Sequence, residues 1–200
     1  EMTERNELTG IVLAGGLSTR MGRDKASLPW GDSDLLHTAL AALAPVCRRL
    51  VVVSNTPRTI RLPDVTVVAD RYRGCGPLAG IHAGLLAAGE GYCFVAACDM
   101  PYLRADAAAW MAGAARGYDA AVPLTGGHYN PLHAVYHHRC LPAVEALLGN
   151  GRYRVADLYP QIRVRAVSRE ELARFEPDLK MLVNMNSPED LPGTAAGQEK

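Results

Sequence analysis

Short apolar segments alternate with segments of helical periodicity along most of the chain. The segments that predict buried strands are continuously apolar or β-branched and span residues 9–14, 50–53, 65–68, 93–97 and 120–122. Between them, leucine spacing over 35–43, a proline-initiated segment at 78–88 and an alanine-rich segment at 105–116 predict helices. This alternation is typical of a mostly parallel sheet with helices on both faces, so we expect an α/β domain.

The pattern is looser after residue 126 but still predicts secondary structure. Residues 131–136 and 162–167 favour extended chain, whereas 140–148 and 169–175 favour helices. Neither a repeat nor a linker interrupts the sequence, so we expect one domain over residues 1–192. The small and polar residues 193–200 are expected to form a flexible tail. Ser33 is expected to cap the first helix.

Composition and charge exclude several classes of protein. Hydrophobic residues make up 48% and charged residues 21% of the 200 positions, as in ordinary globular chains. Lys and Arg together number 21, as do Asp and Glu, which argues against a nucleic-acid or membrane-surface binder. The five cysteines form no C-x-x-C pair, and the sequence shows neither a secretion signal nor an apolar stretch of about 18 residues. We therefore expect a cytoplasmic protein.

The glycine-rich segment after the first predicted strand is the first candidate for chemistry. It runs from Gly15 and Gly16 through Arg20 to Lys25. Glycines allow backbone amides to approach an anion, and the two cations suit a polyphosphate. The spacing matches neither the P-loop nor the dinucleotide fingerprint G-x-G-x-x-G. The alternative is a solvated turn that the glycines merely shape.

Three polar residues follow other predicted strands, at the sheet edge where open parallel sheets bind ligands. Asn55 follows the second strand, Asp70 the third and Asp99 the fourth. Asp99 is placed to hold Mg²⁺ against phosphate oxygens, since this ion prefers a few carboxylates together with substrate oxygens. The alternatives are a helix cap for Asp99 and, for Asp70, a turn salt bridge with Arg71 or Arg73.

Four histidines between residues 128 and 138 raise the question of a metal site. They are His128, His133, His137 and His138. The spacing of His133 and His137 would suit two ligands on a helix, but this segment predicts a strand, on which they do not converge as on a helix. Surface or packing roles are therefore favoured over metal binding.

Six sequence blocks in a fixed order carry the most specific signal in the chain. They occupy residues 13–25, 51–55, 67–70, 76–80, 98–101 and 184–191. The first reads Leu-Ala-Gly-Gly-x-Ser-x-Arg-Met-Gly-x-Asp-Lys and the last reads Asn-Met-Asn-Ser-Pro-Glu-Asp-Leu. The set resembles the molybdenum cofactor guanylyltransferases, the MobA family. Related cytidylyltransferases carry Leu-Ala-Ala-Gly in the first block, so the first glycine of the pair here, Gly15, resembles the guanylyl enzymes.

The resemblance implies a three-layer α/β/α Rossmann-like nucleotidyltransferase fold. It also implies transfer of GMP from GTP to the phosphate of molybdenum-bound molybdopterin, with release of pyrophosphate. The residues that it implies for nucleotide binding are Leu13, Ala14, Gly15, Gly16, Lys25, Asn55, Asp70 and Asp99. By the same resemblance, Asp99 would also hold Mg²⁺ and act in catalysis together with Arg20 and Lys25.

For the pterin, the resemblance implies contacts from Arg154, Asn184 and Asn186. The family often has a basic residue or glutamine before a proline-leucine pair, where this chain has Asn130. GTP and molybdenum-molybdopterin are thus the expected substrates. Transient contacts with proteins that deliver molybdopterin or mature molybdoenzymes are also expected.

Three alternatives remain at this point. One is a nucleotidyltransferase with another base or acceptor, such as CTP and molybdopterin. Another is a non-catalytic carrier of nucleotide or pterin, which would not need Asp99 together with Arg20 and Lys25. The last is a Rossmann oxidoreductase, which the missing glycine fingerprint disfavours.

Overall fold

The computed structural model describes residues 7–15 and 24–185. In chain order, its strands are β1 Thr9–Leu13, β2 Pro29–Trp30, β3 Ser33–Asp34, β4 Arg49–Val53, β5 Val65–Val68, β6 Tyr92–Ala97, β7 Ala120–Thr125, β8 His128–Tyr129, β9 His133–His137 and β10 Val164–Val167. The α-helices are α1 Leu35–Leu43, α2 Pro77–Ala88, α3 Ala105–Ala114, α4 Leu141–Gly149 and α5 Arg169–Ala173. Short 3-10 helices lie at Lys25–Ser27, His138–Cys140, Val155–Asp157, Tyr159–Gln161 and Lys180–Leu182.

The central sheet has the strand order β10-β7-β9-β6-β1-β4-β5, with β8 paired to β7. Strand β1 lies inside the sheet and is parallel to both β4 and β6, so that Leu13 is opposite Val53 and Ala97. Strand β9 is antiparallel to its neighbours β6 and β7. The expected mostly parallel sheet is confirmed. We call the edge at which β1, β4, β5 and β6 end the carboxyl edge, and the opposite one the amino edge.

Helices cover both faces of this sheet, which confirms the expected three layers. Buried side chains of α1, α3 and α5 pack on one face, where Val12 of β1 is fully buried. Helices α2 and α4 pack on the other face against Ile11, the preceding residue of the same strand. Successive residues of a strand point to opposite faces, so a strand covered on both sides is apolar along its buried length, as β1 is after Thr9.

Helix α2 lies unusually close to β1 because its sequence contains glycines at the contact. A Cβ atom at Gly84 would meet Ile11 at 2.5 Å, and one at Gly80 would meet Leu13 at 3.1 Å. The helix begins at Pro77 after Gly76 and ends at Ala88, capped by Gly89, within one residue of the predicted segment 78–88. This close packing places the amino-terminal turn of α2 beside the end of β1.

The predicted cap of the first helix is wrong by one residue. Asp34, rather than Ser33, caps α1, and its Oδ1 accepts a hydrogen bond of 2.8 Å from the backbone N–H of His37. The reason is that the small β2–β3 hairpin, which the sequence pattern did not predict, extends through Ser33 and Asp34, so that α1 begins only at Leu35 and Asp34 directly precedes it.

Several other predictions differ from the structure in detail; β7, for instance, ends at Thr125, three residues after the end predicted for it. Helices α3 and α5 end at Ala114 and Ala173, two residues before the ends predicted for each. Strand β5 is partly exposed instead of fully buried, because it lies at the end of the sheet. In the part of the chain that the structure describes, no helix combines the length and apolar character needed to cross a bilayer.

Candidate functional site

Backbone hydrogen bonds continue past the ends of the strands at the carboxyl edge. The N–H of Ala14 donates to the carbonyl of Val53 at 2.9 Å, and the N–H of Cys98 donates to that of Leu13 at 3.0 Å. The N–H of Ser54 donates to the carbonyl of Val68 at 2.8 Å. These bonds hold together the segments that follow β1, β4, β5 and β6, where the polar residues of the sequence analysis lie.

Asn55 and Asp70 form a reciprocal pair at this edge. The Nδ2 of Asn55 donates to Asp70 Oδ2 at 2.8 Å, and the backbone N–H of Asp70 donates to Asn55 Oδ1 at 3.1 Å. The salt bridge suggested for Asp70 with Arg71 or Arg73 is therefore replaced by this pair. The second carboxylate oxygen, Oδ1, is buried and has no hydrogen-bond partner among the residues described.

A small pocket lies over this pair. Its lining includes Leu13, Gly15, Asn55, Asp70, Gly76 and Pro77. The amino-terminal turn of α2 thus faces the pocket, and Gly76 caps that helix without a side-chain hydrogen bond. The first N–H groups of a helix carry partial positive charge and lack partners within the helix. Pro77 has no N–H, so the pocket combines the positive end of the helix dipole with the Asp70 carboxylate and the Asn55 amide, an arrangement suited to a polar ligand that carries hydroxyl or amino donors.

Lys25 and Asp99 meet on the opposite side of β1. The Nζ of Lys25 lies 3.0 Å from Asp99 Oδ2 and donates a second hydrogen bond of 3.0 Å to the carbonyl of Met185. The backbone N–H of Met185 donates in turn to the carbonyl of Asp99 at 2.8 Å. Three segments far apart in sequence therefore converge on one carboxylate.

One of the two carboxylate oxygens of Asp99 is available for a ligand. The residue is 8% exposed, and its Oδ1 is buried with no partner in the described ranges 7–15 and 24–185. An unpaired buried carboxylate oxygen costs free energy unless a ligand satisfies it. A hard oxygen donor of this kind fits Mg²⁺, which takes one or two protein carboxylates together with phosphate oxygens. The helix-cap alternative is wrong, since Arg104 holds the cap position of α3.

The neighbouring thiol is not a nucleophile. Cys98 is buried beside Asp99, and burial, reinforced by the Asp99 charge, raises the pKa of its thiol to about 12. At neutral pH the thiol therefore stays protonated, whereas a nucleophilic cysteine reacts as the thiolate.

The other predicted site residues divide into two groups. Ala14 is buried directly after β1, Gly15 is exposed at the pocket, and Asn184 is exposed next to the buried Met185. Arg154 is exposed before the 3-10 helix at Val155–Asp157, and its side chain makes no hydrogen bond or ion pair with another described residue. Gly16, Arg20 and Asn186 lie outside the described residues.

The histidines occupy packing and surface positions. His133 is fully buried edge-on against Phe94, with ring centroids 5.0 Å apart, and burial lowers its pKa to about 3. His128 is exposed, while His137 and His138 are half-buried near the amino edge. Within the ranges that the structure describes, no three His, Cys, Asp or Glu residues are grouped to hold a metal ion.

Two residues of the site were missed by the sequence analysis. Arg58, in the segment after β4, donates hydrogen bonds to Ala14 and Asp24, and its side chain is 9% exposed. Met185 bridges Lys25 and Asp99 through its backbone. Met185 lies in a block already recognised as informative, but a single arginine in a loop has no local pattern that would reveal its partners.

Comparison with known proteins identifies the family of this chain. A family model described as a MobA-like NTP transferase domain matches residues 10–164. A protein of Pelotomaculum thermopropionicum named probable molybdenum cofactor guanylyltransferase is 38% identical over 185 residues, which cover 92% of this chain and 90% of that one. A molybdenum cofactor guanylyltransferase of Desulfosudis oleivorans is 35% identical, with 92% of each chain covered.

Solved structures show the same architecture. Molybdopterin-guanine dinucleotide biosynthesis protein A from Archaeoglobus fulgidus aligns with a TM-score of 0.78 at 26% identity, covering 91% of this chain and 94% of that one. A 2-C-methyl-D-erythritol 4-phosphate cytidylyltransferase from Thermus thermophilus aligns with a TM-score of 0.68 at 18% identity, covering 92% and 95%. The second likeness concerns the fold alone.

Proposed function

The chain belongs to the MobA-like NTP transferase family, and we propose that it is a molybdenum cofactor guanylyltransferase. It transfers GMP from GTP to the phosphate of molybdenum-bound molybdopterin and releases pyrophosphate. The names of its relatives, at up to 38% identity over nine-tenths of the chain, support the substrates. The observation that carries the proposal is the Lys25–Asp99 contact of 3.0 Å beside the Asn55–Asp70 pocket.

In this proposal the guanosine occupies the pocket at the end of β1. Leu13, Ala14 and Gly15 contact it along the strand, while Asn55 and Asp70 face it from the neighbouring strands. The spare Oδ1 of Asp70 is a strong acceptor for a hydroxyl or amino hydrogen of the nucleoside. Binding then supplies a partner to an oxygen that the free protein leaves buried and unpaired.

The triphosphate extends from the pocket towards Asp99. Lys25 provides a cation for the phosphates, and we propose the same for Arg20 and for backbone amides near Gly15 and Gly16. Asp99 would hold Mg²⁺ through its unpaired Oδ1. When bound there, Mg²⁺ would supply positive charge against the phosphate oxygens that become more negative during transfer. Lys25, which bonds to Asp99, would lie beside both the metal and the phosphates.

The reaction joins two phosphate groups and needs little acid–base chemistry. A terminal phosphate oxygen of molybdopterin attacks the α-phosphorus of GTP, and the bond between that phosphorus and the α–β bridging oxygen breaks. The bridging electrons leave with pyrophosphate. The attacking oxygen is already anionic at neutral pH, so the protein need only position the reactants and neutralise charge. The high pKa of the Cys98 thiol is consistent with this, since no protein nucleophile is required.

The acceptor binds on the side of Asp99 away from the nucleoside pocket. Asn184 directly precedes Met185, whose backbone is bonded to Asp99 and Lys25, and this supports a role for the Asn184 amide beside the proposed metal carboxylate. Asn186 lies outside the described residues, and its role is proposed from the sequence resemblance alone. Arg154 provides a more distant cation for the pterin. Asn130 is already engaged, since its Nδ2 donates to Thr125 Oγ1 at 2.9 Å, so we assign it a structural role. Proteins that deliver molybdopterin or mature molybdoenzymes would exchange cofactor at this surface.

The first test is thermal unfolding with Mg²⁺ and GTP, CTP, ATP or UTP in turn. A nucleotide at about 100 times its Kd should raise the melting temperature by about 5–10 °C. We expect this shift with GTP, followed by formation of the guanine dinucleotide when molybdenum-molybdopterin is added. A shift with CTP alone would reassign the base, and GTP binding without product would indicate a carrier.

A further inference from the structure

The Arg58 side chain forms several hydrogen bonds near the proposed nucleotide site. Its guanidinium donates to the carbonyl of Ala14 at 2.9 Å, to Ser54 Oγ at 3.0 Å and to Ser27 Oγ at 3.2 Å. It also forms a two-point ion pair with Asp24, which includes a bond of 2.9 Å to Oδ1. A planar guanidinium matches a carboxylate in this way with high geometric specificity.

The partners of Arg58 directly adjoin the proposed nucleotide-binding residues. Ala14 stands where the chain leaves β1, and Asp24 stands directly before Lys25. Ser54 directly precedes Asn55. Arg58 thus connects the described residues on either side of 16–23 to each other and to the end of β4.

Asp24 transmits this connection to Lys25. Its Oδ1 accepts from the backbone N–H of Ala26 at 3.2 Å, and its Oδ2 accepts from Ser27 Oγ at 3.3 Å, so the same carboxylate caps the 3-10 helix that Lys25 begins. Burial disfavours its charge, but the hydrogen bond and positive charge of Arg58 hold the pKa of Asp24 below its ordinary value. The carboxylate therefore stays ionised and bonded at neutral pH.

We propose that Arg58 is a positioning residue for nucleotide binding. Through Asp24 it sets the position of Lys25 relative to Ala14 and Gly15, without touching the nucleotide itself. The inference rests on the proposed function, because it assumes that Lys25 and the Ala14–Gly15 backbone bind the same GTP. Without Arg58, Lys25 and the Ala14–Gly15 backbone would remain but would be misplaced relative to each other. A misplacement of about 1 Å in an active site lowers the reaction rate by up to about 100-fold.

The test measures GTP affinity and turnover in Arg58→Ala, Arg58→Lys and Asp24→Asn. We expect Arg58→Ala to weaken GTP binding by about 10- to 100-fold. Arg58→Lys should weaken GTP binding less than Arg58→Ala, because the ammonium keeps the positive charge. It cannot reproduce the two-point pairing of the guanidinium with the Asp24 carboxylate, so some loss should remain. Asp24→Asn in the Arg58→Ala background should add little, since both changes cut the same connection.

Arg49→Ala is the matched control. Arg49 also bonds through its guanidinium to backbone carbonyls, those of Ala87 and Ala88, but it does so at the amino edge, where α2 ends. We expect Arg49→Ala to lower the melting temperature and to leave the Kd for GTP within twofold of the original. If Arg49→Ala weakened GTP binding as much as Arg58→Ala at equal stability, general destabilisation would explain both and the inference would be overturned.

The outcomes separate this inference from the proposed function. If the original protein fails to bind GTP, the proposed function fails. If it binds GTP and a folded Arg58→Ala binds equally well, only the positioning role fails. Should Arg58→Ala not fold, Arg58→Lys and Asp24→Asn decide: unchanged GTP affinity in both overturns the role of Arg58, and a tenfold loss in Asp24→Asn supports it.

Discussion

Two carboxylates near opposite edges of the sheet differ in how completely the protein satisfies them. Asp119, beside the amino edge, accepts hydrogen bonds from Arg139 Nε at 3.2 Å, from the Arg163 guanidinium at 3.3 Å and from the Arg163 backbone N–H at 2.9 Å. Asp99, at the carboxyl edge, pairs one oxygen with Lys25 and leaves the other buried without a partner among the described residues.

The difference distinguishes a carboxylate that stabilises the fold from carboxylates that are available to a ligand. Burial opposes ionisation of Asp119, but the bonds from Arg163 and Arg139 lower its pKa to about 2, so the folded state gains from its charge. Asp99 and Asp70 each retain an unpaired buried oxygen, which costs stability until a ligand arrives. A saturated carboxylate therefore marks a structural site here, and an unsaturated one marks the proposed site of chemistry.

The largest effect is expected from Asp99→Asn. The amide keeps the shape of the side chain but loses the charge that holds Mg²⁺, so kcat should fall by at least about 100-fold. Far-ultraviolet circular dichroism and thermal unfolding would check that the fold is retained. Near-normal turnover in the folded variant would contradict both the metal role and the comparison.

Asp119→Asn should produce the reverse pattern. It removes charge-assisted hydrogen bonds, so the free energy of unfolding at pH 7 should fall by about 2 kcal/mol, with kcat/KM unchanged. Because the folded pKa of about 2 lies below the ordinary 3.8, the stabilisation is present above pH 3.8 and is lost as the pH falls towards 2. Urea unfolding at several pH values should thus show a smaller acid dependence in the variant. If Asp119→Asn lost activity but kept full stability, the distinction between a structural Asp119 and a functional Asp99 would be wrong.

Asp70→Asn tests the second unsaturated carboxylate. We expect the Kd for GTP to rise roughly tenfold, since a hydrogen bond to a charged acceptor is lost, while the melting temperature changes little. Asp106→Asn is a suitable control, because Asp106 is exposed and paired with Arg104 away from the pocket. Calorimetric titration with GTP would measure both variants. If Asp70→Asn and Asp106→Asn bound GTP with equal affinity, Asp70 would not contact the nucleoside.

The smallest effect is expected at His133, whose ring nitrogens are both unpartnered within the described residues. The ring is surrounded by the core, so His133→Leu should leave kcat/KM unchanged and raise the stability by about 1 kcal/mol. The folded pKa of about 3 lies below the ordinary 6.5, so the original protein loses stability as the pH falls below 6.5. Unfolding at pH 7 and 5 should show less of this loss in the variant. Loss of activity would mean that His133 acts in the site.

Much of the fold follows from local pattern. Continuous apolar segments predicted the buried strands around β1. Pro77 and Gly89, residue types that begin and end helices, flank α2 at its two ends. Errors arose where a neighbouring element decided the outcome: the β2–β3 hairpin extends through Asp34, so α1 begins only at Leu35 and Asp34 caps it. Local pattern also could not show that β9 enters the sheet antiparallel between β6 and β7.

The sequence by itself determined which polar groups stand at the ends of the strands, because strand ends are local signals and parallel strands end at one edge. Asn55, Asp70 and Asp99 were found in this way. Only the tertiary structure decided which of them meet, and which oxygens remain unpaired. Lys25 bonds to a carbonyl 160 positions away at Met185, and Arg58 bonds to Asp24 across 34 positions. Such pairings depend on how the sheet and the helices pack against each other, so the residue pattern within one segment does not predict them.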